Sequence, residues 1–457
     1  MACFLAPVFA HGQMEKTVLH STRVAEHTSV ASTPPMGWNS WDSYGLTVDE
    51  SQFRANVQVQ AAKLKPFGWT YSVIDEGWFL RNPQDRPHPE LLQFELDGYG
   101  RYIPVPARFP SALTADGQNE GFAAIGRWVH AQGLKFGIHI VRGIPRESVK
   151  RNLPVEGSAF HASDVADQTD ACPWDPTNWG IKDNAAGQAW YDALLRQYAA
   201  WGVDFLKVDC IADHPYKVSE IRQIHVAIER SGRPIILSLS PGPTAPSHAA
   251  EVGSLAQMWR ISDDIWDAWK SDAPFPRTVD SQFALAAMWA PYARPGNWPD
   301  ADMLALGELR PRPEIGPGPR TTRLSPDEQR TMLTLWAMAR SPLILGANLT
   351  MLDTATLELI TNKDVLRIDQ TATASRQALE NGNLVAWTAD LPNGEHALAV
   401  FNRGDTSLPV NKELSAFGLS SEDWTMQDVW QSAAATSTRA FNRTVAPHGC
   451  VLLMLKR

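Results

Sequence analysis

Phe205-Leu-Lys-Val-Asp209 is a five-residue run, apolar but for one cation, that closes on an acid. It is too short for a helix and apolar enough to be a buried strand. Trp259-Arg-Ile-Ser-Asp-Asp264 repeats the pattern, with Arg260 inside the run and Asp264 at its end. In a (β/α)8 barrel the reacting groups come from the C-terminal ends of several strands. Two carboxylates presented there are the minimum equipment for cleaving a glycosidic bond. The plainer reading is a pair of ion-paired acids lining a barrel mouth, because charge networks also gather in clefts.

Outward from these runs, short apolar segments alternate with amphipathic ones. Strands are expected at 36–41, 71–75, 135–140, 205–209, 235–240, 258–262, around Trp298 and at 343–345. Helical patterns lie between them: Trp190, Leu194, Tyr198 and Trp201, for example, share one face. Eight strands with intervening helices predict an α/β fold, a (β/α)8 TIM barrel over residues 33–364, with a doubly wound open sheet as the competitor. Long insertions at 142–175 and 307–325 follow strands, which would put them at the catalytic face of a barrel. Beyond residue 364 the text turns β-rich, with turn signals at Pro392-Asn-Gly394 and Asn402-Arg-Gly404. Residues 365–457 therefore read as a C-terminal antiparallel β-sandwich domain.

The 457-residue length suits one barrel plus a smaller module. A net charge of −9 without a basic block argues against nucleic acid and anionic membrane as partners. No apolar stretch approaches the ~18 residues of a membrane span. Residues 1–32 read as a leader or a disordered extension. Their apolar run Phe4-Leu-Ala-Pro-Val-Phe-Ala10 resembles the tail of a secretory signal without its basic start, which would make the protein periplasmic or secreted. Of four cysteines, Cys172 and Cys210 flank the region of Asp209; pairing is one reading and buried thiols the other.

Lys207 and Asp209 are two apart on one strand and point the same way. An ammonium beside a carboxylate favours the ionised form that a nucleophile needs. Arg260 stands similarly to Asp264, and spacing does not decide which acid plays which part. The adjacent pair Asp75-Glu76 suits recognition of sugar hydroxyls, since ionised carboxylates only accept. A metal site would also use acids, but no His or Cys stands near them in sequence. Trp38, Trp41, Trp78, Trp174, Trp259 and Trp298 fall near strand ends or in the first insertion, where they would either stack on a pyranose or pack the core.

Pro34-Pro-Met-Gly-Trp-Asn-Ser-Trp41, residues 71–78, 205–209 and 259–265, Gly296-Asn-Trp-Pro-Asp-Ala-Asp302 and Leu335-Trp-Ala-Met-Ala-Arg-Ser-Pro-Leu343 resemble, in order, motifs of the α-galactosidases of glycoside hydrolase family 27. The resemblance covers about 310 residues, with the sandwich in its usual place. It implies a retaining exo-glycosidase acting on oligo- or polysaccharides with terminal α-D-galactosyl groups. Asp209 would be the nucleophile and Asp264 the acid/base, with carboxyls ~5–5.5 Å apart. Trp41, Asp75, Glu76, Lys207, Arg260 and Asp302 match positions that bind or line the terminal sugar, and no metal or organic cofactor is implied.

Three departures bear on specificity. Glu76 replaces the second Asp of the usual pair, which pushes a carboxylate toward the space of the sugar's 6-hydroxymethyl group. β-L-Arabinopyranose is galactopyranose without that group, and family members with that activity are similar in carrying Glu. His139 stands where many galactosidases have Tyr. Ser240 stands where many have a bulkier loop near the 2-hydroxyl, and leaves room there. The rival from another class is a binding protein on a dead glycosidase scaffold, which loss of either acid would have favoured. A metal-dependent barrel hydrolase would want a His-x-His pair where Trp-Asn-Ser-Trp41 stands.

Overall fold

The computed structural model describes residues 30–457 apart from 312, 314, 315, 317 and 432–434. The apolar run at residues 4–10 lies outside the described residues. Eight parallel strands form the first sheet: β1 (Met36–Asn39), β2 (Tyr71–Ile74), β3 (Lys135–Val141), β4 (Val203–Asp209), β5 (Ile236–Leu239), β6 (Met258–Arg260), β7 (Trp298–Asp300) and β8 (Leu343–Leu345). They are hydrogen-bonded in the order β7-β6-β5-β4-β3-β2-β1-β8. Just past β7, Leu304 bridges to Leu345 of β8 in parallel, and its N–H donates to the Ile344 carbonyl at 2.7 Å. That bridge joins the two ends of the sheet into a barrel, and the doubly wound alternative falls.

Alternate residues of a strand face opposite sides. Tyr71, Val73, Phe205, Ile236, Met258 and Trp298 fill one buried cluster inside the barrel. Leu206 and Val208, one step out of phase, belong instead to the core shared with the surrounding helices. Close strand approach explains Gly37, where a Cβ would lie 2.5 Å from the Tyr71 carbonyl oxygen. The helix expected around Trp190 runs Ala185–Trp201 and buries all four residues of the expected face.

The first insertion carries its own three-stranded sheet, made by Ile144–Pro145, Ala166–Ala171 and Asn178–Ile181. The second holds a two-stranded pairing of Glu308–Leu309 with Arg320–Thr321. A helix at Lys363–Thr371 crosses the expected 364/365 boundary, and the first sandwich strand starts at Thr373. The C-terminal domain has a six-stranded antiparallel sheet facing a two-stranded one. Trp387, Phe401 and Leu452 of that domain share the barrel's core cluster, so the two modules are packed as one body at this seam. No helix of the described residues is long and apolar enough to cross a membrane.

Candidate active site

The inward phase that packs the barrel interior continues upward into chemistry. Above Tyr71 and Val73 comes Asp75; above Phe205 come Lys207 and Asp209; above Met258 comes Arg260; and above Trp298 and Asp300 comes Asp302. With His139 from β3 and Ser240 after β5 they line a single pocket at the C-terminal ends of the strands. All ten residues singled out in the sequence meet there: Trp41, Asp75, Glu76, His139, Lys207, Asp209, Ser240, Arg260, Asp264 and Asp302. Asp42, Ile265, Trp266 and Met303 line it too and were not foreseen. Each lies within two residues of one that was, but on a loop or a short helix where strand parity gives no direction.

The tryptophans divide. Trp41 lines the pocket. Trp38, Trp78, Trp259 and Trp298 are core residues with at most 1% exposure, and Trp174 is 39% exposed outside the pocket lining. Parity explains Trp259: Arg260 points inward, so its neighbour points out and packs against Trp289.

Asp75 is the most heavily bonded acid of the site. Its Oδ2 accepts from Asn39 Nδ2 at 2.6 Å and Lys207 Nζ at 2.9 Å, and its Oδ1 accepts from the Glu76 N–H at 2.9 Å. Burial alone would raise its pKa, but Lys207 and His139 outweigh that and hold the carboxyl well below the usual range. Asp209 is likewise kept low: burial is offset by the His139 ring 3.7 Å away, by Lys207, and by the Cys210 N–H donating to Oδ1 at 2.6 Å. Cys210 reaches that position at φ +63°.

On the opposite wall the Arg260 guanidinium lies 2.7 Å from Asp302 Oδ2 and 3.2 Å from Asp264 Oδ1. Asp264 keeps a side chain that is 44% exposed. Asp302 is pushed up to about 7 by burial, against the pull of Arg260 and with the push of Asp264 and Asp300. The second acid of the pair, Glu76, lies 3.8 Å from Arg86, which also bonds Asp175 at 3.1 Å. Burial and the Asp175 charge hold Glu76 well above the carboxylate range.

Cys172 and Cys210 are joined in a disulfide, with Cα atoms 5.9 Å apart. It pins the first insertion to the residue beside Asp209. Among the described residues, no group of three or more His, Cys, Asp or Glu side chains is placed to hold a metal.

An eight-stranded barrel, a sandwich behind it and a pocket of acids ionised to different degrees define a sugar-cleaving barrel enzyme. A model of alpha galactosidase A matches residues 184–371, and one of the alpha galactosidase C-terminal beta sandwich domain matches 381–455. Among characterised sequences, alpha-galactosidase 2 of Arabidopsis thaliana is 27% identical over 443 residues, spanning 95% of this chain and 92% of its own. Alpha-galactosidase A of Cellvibrio japonicus is also 27% identical, over 93% of this chain and 92% of its own. The solved structure of a GH27 β-L-arabinopyranosidase from Geobacillus stearothermophilus is 38% identical, with a TM-score of 0.86, over 94% of this chain and 98% of that one. The chain belongs to glycoside hydrolase family 27. It is a glycoside hydrolase of the α-galactosidase type.

Proposed function

We propose that this enzyme is a retaining exo-glycosidase that prefers terminal β-L-arabinopyranosyl groups and accepts α-D-galactosyl groups less well. Asp209 attacks the anomeric carbon; its ionised state is supported by His139, Lys207 and the Cys210 amide. Asp264, the more exposed acid, protonates the leaving oxygen and then activates water. Asp75 and Asp302, with Lys207, Trp41 and Arg260, bind and orient the sugar.

The observation that carries the preference is Glu76. It lines the pocket, is 6% exposed, and has Arg86 behind it rather than solvent. A side chain so enclosed cannot swing away to admit a 6-hydroxymethyl group without cost. The higher identity to the Geobacillus arabinopyranosidase than to the plant and Cellvibrio α-galactosidases supports the same reading. Parallel kcat/KM measurements on 4-nitrophenyl β-L-arabinopyranoside and 4-nitrophenyl α-D-galactopyranoside test it, and a higher value for the galactoside overturns the preference.

We also infer export to a periplasmic or extracellular compartment, which the Cys172–Cys210 disulfide supports because such bonds persist in oxidising surroundings. Polysaccharide ends would be met there. Thiol titration of the protein recovered from its native compartment tests this: two reactive thiols at these positions would count against it.

A further inference from the structure

Asp42 is the one acid of the pocket left without a task. It stands one residue beyond Trp41 in the short helix Trp41–Tyr44, lines the same pocket and is 3% exposed. Its carboxyl lies so close to Gly346, just past β8, that a Cβ there would sit 2.0 Å from Oδ2. Oδ2 itself is buried and has no hydrogen-bond partner. Buried polar atoms are nearly always satisfied, so a solitary one inside a binding pocket points to a missing partner.

The charged groups around it come from four elements. Asp75 ends β2, Lys207 lies on β4, Asp264 follows β6 and Asp302 follows β7. Arg310, beside the Glu308–Leu309 strand, donates its backbone N–H to the Asp42 carbonyl at 2.7 Å. Burial, and then the Asp302 charge, hold the Asp42 carboxyl well above its ordinary range, against Lys207. That direction favours the protonated carboxyl, which can donate, whereas Asp75 and Asp209 are shifted the other way and can only accept when ionised. A sugar hydroxyl offers two lone pairs as well as a proton; ionised Asp75 and Asp209 can take only the proton, and a protonated Asp42 would add a donor to those of Lys207 and Arg260. The terminal torsion of an Asp is broad and two-fold, so rotation exchanges its two oxygens and brings the proton to the pocket side.

We infer that Asp42 is a further substrate-binding residue, whose carboxyl donates a hydrogen bond to a hydroxyl oxygen of the bound glycone. The inference rests on reading the pocket as a sugar site, though not on turnover.

The test is calorimetric titration of the full-length wild type, Asp42→Asn and Asp42→Ala with L-arabinose and with D-galactose, in buffers of differing ionisation enthalpy. Asp42→Ala should weaken binding about tenfold, while the amide of Asp42→Asn keeps a donor and stays within about threefold. At alkaline pH the wild type should take up more protons on binding than Asp42→Asn does, the difference being the Asp42 contribution. Purely structural packing on Gly346 would instead change melting temperature while affinity and proton uptake stayed the same, and that result overturns the inference. If Asp42→Ala does not fold, the proton uptake of Asp42→Asn decides alone. A wild type that binds either monosaccharide but cleaves neither aryl glycoside sinks the proposed reaction and leaves Asp42 in place. A wild type that binds neither sugar sinks both.

Discussion

Lys207 Nζ is bonded to Asp75 Oδ2 at 2.9 Å. The cation on the proposed nucleophile's own strand thus serves an acid two strands away, and the nearest basic side chain to Asp209 is His139. Two residues that share a strand face with Asp209, directly or from the next strand, are thereby separable by experiment. His139→Phe removes an interaction that favours the ionised nucleophile, which raises its pKa. The acid limb of the kcat/KM profile should move to higher pH. Lys207→Met should chiefly raise KM, with a smaller move of that limb. The reverse pattern in the two pH profiles would reassign the support of Asp209.

Covalent catalysis makes a stereochemical prediction. Asp209→Ala should lose turnover by more than about a hundredfold, because the glycosyl–enzyme ester cannot form. External azide should restore part of the rate and give the inverted glycosyl azide, read by NMR. A folded Ala variant that keeps more than about a hundredth of the wild-type rate puts the nucleophile elsewhere.

Asp264→Asn should slow glycosides with poor leaving groups far more than activated aryl glycosides, since only the former need the leaving oxygen protonated. The measurement is a series of aryl leaving groups of rising pKa. A loss that is uniform along the series assigns the proton donor to another group.

Glu76→Asp removes one methylene from the wall facing the proposed 6-hydroxymethyl space. One methylene in a tight pocket is worth ~1–3 kcal/mol, or about 10–200-fold in discrimination. The galactoside-to-arabinoside ratio of kcat/KM should rise by about that factor, with little change in kcat for the arabinoside. An unmoved ratio means that Glu76 serves Arg86 and Asp175 alone, and the galactoside becomes the better assignment.

Stability should depend on pH with a sign set by the buried acids. Asp302, at about 7, binds its proton more tightly folded than unfolded, where an Asp titrates near 4. Folding is therefore penalised increasingly as pH rises between those values. Asp75 and Asp209 have the opposite sign: their contribution is present above about pH 4 and lost as pH falls through their depressed folded values. The melting temperature should peak on the acid side of neutral, and Asp302→Asn should flatten the fall toward neutral pH. Scanning calorimetry across that range decides it, and a wild-type melting temperature that climbs to neutrality contradicts the assignment.

The strands were legible because each is a short, largely apolar run, several of them closing on a polar residue, and because period-two parity lines up Phe205, Lys207 and Asp209 on one face. That parity carried the pocket residues of β2, β4, β6 and β7. It failed where direction is set by loops. Asp42 sits in a one-turn helix, and Ile265, Trp266 and Met303 follow strand ends, so their aim depends on tertiary packing. The four core tryptophans were ambiguous for a different reason. A large aromatic at a strand end fits the inner layer, the outer layer and the mouth equally well in composition, and only the neighbour's phase separates them. The Cys172–Cys210 pairing was one of two readings, since 38 residues of separation impose no geometry.

The disulfide reaches further than its local staple. Cys210 holds Asp209 Oδ1 through its amide and the first insertion through its sulfur. From that insertion Asp175, three residues beyond Cys172, braces Arg86 against Glu76. One cross-link therefore underlies both the carboxylate proposed to attack and the wall proposed to sort substrates. Recombinant material from a thiol-rich cytosol is then expected to be a mixture in which protein mass and competent sites diverge. Its turnover per mole and its glycone selectivity should change together when the preparation is oxidised.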